Sequence, residues 1–558
     1  MSLNDSFSIG LRGIQTAQAA MSVISHNIAN VNTLGYSRQV VELGTTVPSQ
    51  GTWGSIGSGV NIQSIARVHD SFIGRNLVLK SSLLAKYEAQ KISMDALESI
   101  YNESMENGIN ESLSDFWNSW QDVADNPEGN PERMNLMEKA TTLANSIKYM
   151  RSDMDSIKSD INRRIEQGII QANTLIQEIA AINEKIVSVE AGFQAQANDL
   201  RDKREHYIKD LAGLIDINYF EDPASGAVFV VTPKGTPLVE ENTYWSLKAT
   251  ADLSGDIHLI WERGNGGEVD ITESIGNGSI GGWLELRDSL MDEFYAQFDA
   301  FTEGLIKEIN RQHSQGVGLS KFTDITSAYD IQDYARYETE LQGDDNDIVF
   351  TAQASGEAGD DIRIEYVKGS APNTSLSIST NNDPLTGVKT ITITLATNSS
   401  DQIITKANEI IDLVNSDVTA GTWVEAKIGA DQNGQGVVTE MAAGGLNRHL
   451  SNLLVFGEEI QAGSFDVITY DSLGNPIMTT ITVNPDDTRE DIIAQISNID
   501  HLTASVQVET GGNYIRIQSD PGYEFAFGND NSSALMALGL NTFFTGYDTQ
   551  TISGHVLD

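Results

Sequence analysis

Cysteine is absent from this 558-residue chain. Its absence excludes a thiolate nucleophile and a cysteine-held zinc, and an exported protein without it avoids misoxidation outside the cell. Basic residues are scarce: 35 Lys and Arg stand against 79 Asp and Glu, a net charge of −44. Nucleic acid and anionic membrane surfaces are bound through Lys and Arg, so neither is an expected partner. The acidity reads as solubility. No apolar run approaches the ~18–20 residues of a membrane span, and no membrane insertion is expected. The opening Met1-Ser-Leu-Asn-Asp-Ser lacks a cationic stretch followed by an apolar core. Any export is therefore expected to use a route other than a signal peptide.

Catalytic patterns are equally thin. The eight His residues, at 26, 69, 206, 258, 313, 449, 501 and 555, are scattered, with no His-Glu-x-x-His. No Gly-x-Ser-x-Gly elbow stands at a strand–helix junction. Asp431-Gln-Asn433-Gly-Gln435-Gly436 begins like a calcium loop, but Ala442 occupies the place of the bidentate Glu. The pairs Asp344-Asp345, Asp360-Asp361 and Asp486-Asp487 read as solvated turns rather than catalytic dyads. The expectation is a protein that is not an enzyme, with no catalytic residue, cofactor or metal site.

What the sequence does carry is helical periodicity. Phe7, Ile14, Met21 and Ile28 recur every seven residues, with Gly10, Ala17, Ile24 and Val31 interleaved. That narrow apolar seam suits packing on other helices rather than on a broad core. Ser2 or Asp5 could cap its start, and Asn32-Thr33-Leu34-Gly35 supplies a stop. Residues 40–70 alternate as extended segments and hairpins, and a helix is expected from about Ser71 to Met105. Phe116, Trp117 and Trp120 share a helical face and read as core anchors.

A turn cluster at Asp125–Pro131 restarts a helix that runs to about Ala212. In it Ile165, Ala172, Ile179 and Ile186 form one heptad row, with Leu175, Ile182 and Val189 between them. A helix so long with so narrow a seam needs partners along its length. Period-two stretches follow over 215–280, then a helix from about Gly282 to Asn310. Beyond Gly343 two β-rich blocks share a strand–strand–helix–strand order. The first has strands at 347–351, 376–379 and 390–394, with a helix at 403–414. The second has strands at 464–469, 477–482, 504–508 and 514–518, with a helix at 489–496.

The segment His26-Asn27-Ile28-Ala29-Asn30-Val31-Asn32-Thr33-Leu34-Gly35-Tyr36-Ser37-Arg38-Gln39 resembles the N-terminal signature of flagellar rod, hook and hook-associated proteins. Asn side chains hydrogen-bond a tight turn, Gly35 tolerates positive φ, and Tyr36 offers a face for a neighbouring subunit. The Gly-Tyr-Ser-Arg-Gln ending is most similar to the hook–filament junction family. Three more stretches agree: Phe116-Trp117 through Asn126-Pro127-Glu128 to Arg133; Asp199-Leu-Arg-Asp-Lys-Arg204; and Gly281 to Asp288 with Asn310 to Gly316. The likeness covers about 1–325, and Ala537 to Phe544 also looks similar. The 343–447 block departs from it. Members of this family end in a heptad helix that pairs with the first one. Here Gly554-His-Val-Leu-Asp558 follows β-type sequence, so the expectation is a chain lacking that return segment.

The resulting fold class is a multi-domain α+β protein, an elongated long-helix bundle core followed by two β-rich outer modules. Its expected parts are a heptad helix and turn (1–45), a helical domain with β-hairpins (46–342), an extra β module (343–447), an outer β module (448–546) and the start of a return segment (547–558). The resemblance implies a structural subunit of the bacterial flagellum. It would self-associate as a ring joining hook to filament, be secreted by the flagellar type III route, and lie outside the cell. Implied partners are further copies, the hook protein, the next hook-associated protein on the filament side, and an export chaperone acting through the missing segment. The expected subunit-contact residues are Phe7, Ile14, Ala17, Met21, Ile24, Ile28 and Val31. The signature turn comprises Asn27, Asn30, Asn32, Gly35, Tyr36, Ser37, Arg38 and Gln39. The competing readings are a hook or rod subunit, and a surface adhesin acting through the acidic β modules.

Overall fold

A computed structural model describes residues 3–51, 54–101, 108–191, 196–263, 266–328, 330–331, 333–430, 432–453, 456–509 and 512–554. The cap expected from Ser2, the helix end at Met105, the loop start at Asp431 and His555 lie outside the described residues. The helices are α1 (Leu3–Ala29), α2 (Ser71–Tyr101), α3 (Ile109–Asp125), α4 (Asn130–Glu190), α5 (Asn198–Leu214), α6 (Gly278–Glu285) and α7 (Met291–Ser314). Contacts divide the chain into two compact units, Met1–Glu106 with Tyr149–Gln297, and Asn107–Lys148 with Phe298–Asp558. With long helices and mainly antiparallel sheets, the architecture is multi-domain α+β.

In the first unit α4 supplies the central stripe. Ile161, Ile165, Ile169, Ala172, Ile176, Ile179, Asn183 and Ile186 alternate three and four apart and are all buried. Each fully buried Ile contributes about 1.5–3 kcal/mol of apolar burial. Leu175 is only half-buried and Val189 is exposed, so the second expected row is partial. α2 crosses α6 where Gly282 lies; a Cβ there would stand 2.5 Å from the Lys86 carbonyl oxygen, so only glycine allows the approach.

Three asparagines on α4, at 162, 173 and 183, recur about every three turns and so return to one face. Asn173 and Asn183 each clamp a strand backbone with both ends of the amide, while Asn162 bridges a carboxylate and a backbone N–H at a strand's start. Asn173 donates to Leu247 O at 2.7 Å and accepts from Leu247 N at 2.8 Å. Asn183 donates to Val228 O and Glu241 O and accepts from Val228 N. Asn162 donates to Asp256 and accepts from Ile257 N at 3.1 Å. The outer two also each accept from a buried arginine. Arg204 reaches Asn183 Oδ1 at 2.9 Å, and Arg287, carried on the π-helical turn Leu286–Leu290, reaches Asn162 Oδ1 at 2.8 Å. Burial pulls the Arg204 guanidinium down to about 10.

In the second unit Phe116 is fully buried against Phe543 and Phe544, while Trp120 is half-buried. Trp117 is exposed, which corrects its reading as a core anchor: it sits one position, about 100°, round the helix from Phe116. Asn310 holds the same segment, accepting from Phe543 N and Phe544 N and donating to Phe544 O. Two cores follow. One contains Ile348, Phe350, Ile364, Ile391 and Ile410; the other contains Phe465, Ile481, Ile492, Ile515 and Phe527.

The second core's sheet takes a strand from far upstream, since Asp324–Thr326 pairs with Gly512–Ser519. The polypeptide of the first core therefore enters and leaves through a neck. There Arg336 and Asn447 exchange backbone hydrogen bonds, and Arg448 meets the buried Asp333 at 2.7 Å.

Candidate assembly surface

α1 carries two opposed heptad rows. Ile9, Thr16 and Val23 face inward: Thr16 and Val23 are buried, and Ile9 is half-buried where the Gly59 backbone approaches it. They rest on the antiparallel hairpin of Gln39–Thr45 with Val60–Arg67. Two residues of offset rotate a helix position by about 200°, so the other row points outward. Phe7, Ile14, Met21 and Ile28 are 65–76% exposed, Val31 is 73% and Ile24 56%, and Ala17 is exposed as well. An isolated amphipathic helix is marginal in water; α1 is held by its inner row and by the turn that follows it.

That turn is tied to its own chain. Asn27 Nδ2 donates to Gln39 O, and Gln39 N donates to Asn27 Oδ1, both at 2.9 Å. The Tyr36 hydroxyl donates to Asn27 Oδ1 at 2.7 Å, and His26 Nδ1 lies 3.0 Å from that hydroxyl. Tyr36 is therefore half-buried, rather than offering its whole face to a neighbour. Burial, with Asp199 and Asp202 nearby, raises its phenol above the usual range. Asn30 Nδ2 caps His26 O at 3.1 Å and Asn30 Oδ1 accepts from Thr33. Gly35 takes φ +80° against His206, a conformation that a side chain would strain. Asn32, Leu34 and Arg38 are exposed.

The anchor on the far side is α5. Ser37 N donates to Asp202 Oδ2 at 2.7 Å, and Gln39 Nε2 donates to Asp199 Oδ1 at 2.7 Å. Asp202 is 6% exposed and also takes Arg67 at 2.9 Å; Arg67 pairs with Glu205 as well. Asn198 Nδ2 donates to Ile65 O. Thus two of the stretches that carried the resemblance, 26–39 and 199–204, form one joint. Sequence reasoning named the turn and missed its anchor; the available signal was two carboxylates three positions apart, on one face of a helix.

The arrangement is a pinned helix with a charge-poor apolar outer face. Among the described residues no group of His, Cys, Asp and Glu is placed to hold a metal. No described helix is long and apolar enough to cross a membrane.

Comparison with known proteins finds flagellar relatives. Residues 94–325 match the family described as the flagellar hook-associated protein FlgK helical domain, and residues 7–36 match the flagella basal body rod protein family. Flagellar hook-associated protein 1 of Bacillus subtilis is 27% identical over 236 residues, 41% of this chain and 46% of that protein. Its Escherichia coli counterpart is 27% identical over 315 residues, 55% of this chain and 56% of that protein. The chain spans about half the length of the curated relatives it matches. A solved structure, the flagellar hook junction protein FlgK from Burkholderia pseudomallei, aligns over 83% of this chain and 90% of that one, with 15% identity and a TM-score of 0.40. The sequence matches, not this superposition, carry the relationship. Over the matched segments the chain is similar to the flagellar hook-associated class of proteins. Its kinship within that class is with flagellar hook-associated protein 1.

Proposed function

We propose that this chain is a subunit of the layer that joins the flagellar hook to the filament, assembled by contacts of the outer α1 row between copies and along the axis. The observation that carries the reading is the outward row Phe7, Ile14, Met21 and Ile28, exposed while the same helix is pinned from behind by Thr16, Val23 and Asn27. A large apolar row left in water on a fixed helix is what a polymer contact requires.

Export through the flagellar type III channel to the outside of the cell, contact with hook protein and with the next hook-associated protein, and guarding by an export chaperone belong to the same proposal. So does the role of the β-rich modules, divided at about 342 and 447, as outward projections without catalysis. The rod or hook reading rests on residues 7–36, and the helical-domain match over 94–325 favours the hook-associated class over it. The test is deletion of the gene in its own flagellated cell. Loss of swimming with filament protein shed as monomer supports the reading; intact filaments and normal swimming overturn it.

A further inference from the structure

Charge is divided unevenly along the chain. The first 87 residues hold six Lys and Arg against three Asp and Glu, leaving 29 basic against 76 acidic residues in the other 471. A segment of slight positive charge thus opens a strongly acidic protein. Copies of such a chain repel one another over most of their surface, and only the part built by the opening segment can approach a like copy without stacking negative charge.

That part includes the first half of α2, which is apolar on two opposite sides. Val78, Ser82, Ala89 and Ser93 are buried towards α5 and α6. Ile73, Leu77, Leu84 and Tyr87 fall within about 80° of arc on the far side. They are 63%, 54%, 58% and 59% exposed. From Ser71 to Tyr87 there is no acidic residue, and Lys80 lies within the outer stripe. The inner face accounts for how α2 packs among the described residues, and the outer stripe is left in water there.

We infer that the outer stripe of α2, Ile73, Leu77, Leu84 and Tyr87, is a contact surface for a second copy of this chain, which meets it with its own charge-poor opening segment. This rests on the junction reading and adds to it a second surface, distinct from α1. A copy with two different apolar stripes can use one to receive and the other to be received. Such a head-to-tail contact repeats into a ring or a helix. Added salt strengthens the contact, because screening weakens the repulsion between the acidic remainders, with a screening length of about 8 Å at physiological ionic strength.

The absence of cysteine allows a direct test with the full chain. Leu84→Cys and, separately, Leu77→Cys each carry a maleimide–benzophenone probe. Each is mixed at high concentration and physiological salt with isotopically heavy unlabelled copies, irradiated, and mapped by mass spectrometry. Leu473→Cys, at an exposed hairpin tip in the acidic part, is the control, and unchanged helical circular dichroism shows that the variants fold. The expected result is light-to-heavy adducts several-fold above the control, mapping within residues 1–87 of the second copy. Adducts no more frequent than the control, or mapping elsewhere, overturn the inference. Ile14→Cys separates the two ideas. Adducts from Ile14 without adducts from Leu77 or Leu84 leave the junction reading standing and remove this one. Adducts from none of the three remove both.

Discussion

Ser37 and Asp202, 165 positions apart, are joined by a backbone N–H donating to a buried carboxylate at 2.7 Å. The bond fastens the turn after α1 to α5, and so fixes the direction in which the outer row of α1 points. Asp202 also neutralises Arg67, whose side chain is 9% exposed. Asp202→Ala leaves that cation with Glu205 alone and the Ser37 amide without its acceptor. Breaking a buried pair costs about 3–5 kcal/mol. Urea unfolding should show a loss of that order, with faster hydrogen exchange at Ser37; unchanged stability and exchange would remove the joint from the account.

Asn183 serves three backbone groups and Arg204 at once. While Arg204 keeps Gly226 O and Glu221, Asn183→Ala removes the side-chain partner of the three backbone groups, at about 1–3 kcal/mol per orphaned group. Its thermal midpoint should fall by several degrees more than that of an Ala substitution at exposed Lys185 on the same helix. Equal midpoints would mean that the amide clamp does not hold the hairpin.

Gly282→Ala drives a methyl group to 2.5 Å from the Lys86 carbonyl oxygen, which belongs to backbone and cannot swing away. The crossing of α2 and α6 must open, at about 1–3 kcal/mol for overpacking of this kind. Gly304→Ala, where nothing lies within 4 Å of the added carbon, is the control and should be neutral or stabilising. Chemical denaturation of the two variants distinguishes them.

Stability should also respond to acid through Glu190. Arg201 donates two hydrogen bonds to it, both at 2.8 Å, and the Ala197 amide donates a third. The Arg201 hydrogen bond, opposed by desolvation, holds the carboxyl below its ordinary 4.5. A carboxyl lowered in the folded state stabilises fully above its unfolded value. That contribution is lost as pH falls through the folded value. Glu190→Gln is expected to lose about 1–2 kcal/mol at neutral pH, with the gap to the parent chain closing below about pH 4.5. A gap constant down the acid limb contradicts the assignment.

The heptad row of α4 was legible, since Ile165, Ala172, Ile179 and Ile186 are all fully buried, as their spacing implied. The helix expected to run to about Ala212, however, ends at Glu190, and α5 starts afresh at Asn198. Many of the strands were legible too, such as Lys389–Leu395 and Pro476–Val483, whose alternation and β-branched residues give them away. What spacing could not supply was partnership. Asp324–Thr326 adds to a strand about 190 positions later, and Ile362–Lys368 runs parallel to Lys389–Leu395, relations that no local pattern records. Nothing in the spacing pointed to Asn173 and Asn183 of α4 as clamps on strand backbones. At the candidate site, the outer row of α1 and the Asn27–Gln39 turn were visible in the sequence. Their attachment to Asp199 and Asp202 depended on tertiary structure alone.

The most direct measurement replaces Met21 and Ile28 together by Glu in the gene at its own locus. Both side chains are 69% exposed, so the purified double variant should melt with the parent protein. A charged pair placed within an apolar contact between copies should leave the cells without anchored filaments, with filament protein free in the medium. Cells that swim normally on attached filaments while carrying the double variant would contradict the claim that this face of α1 is where the assembly is made.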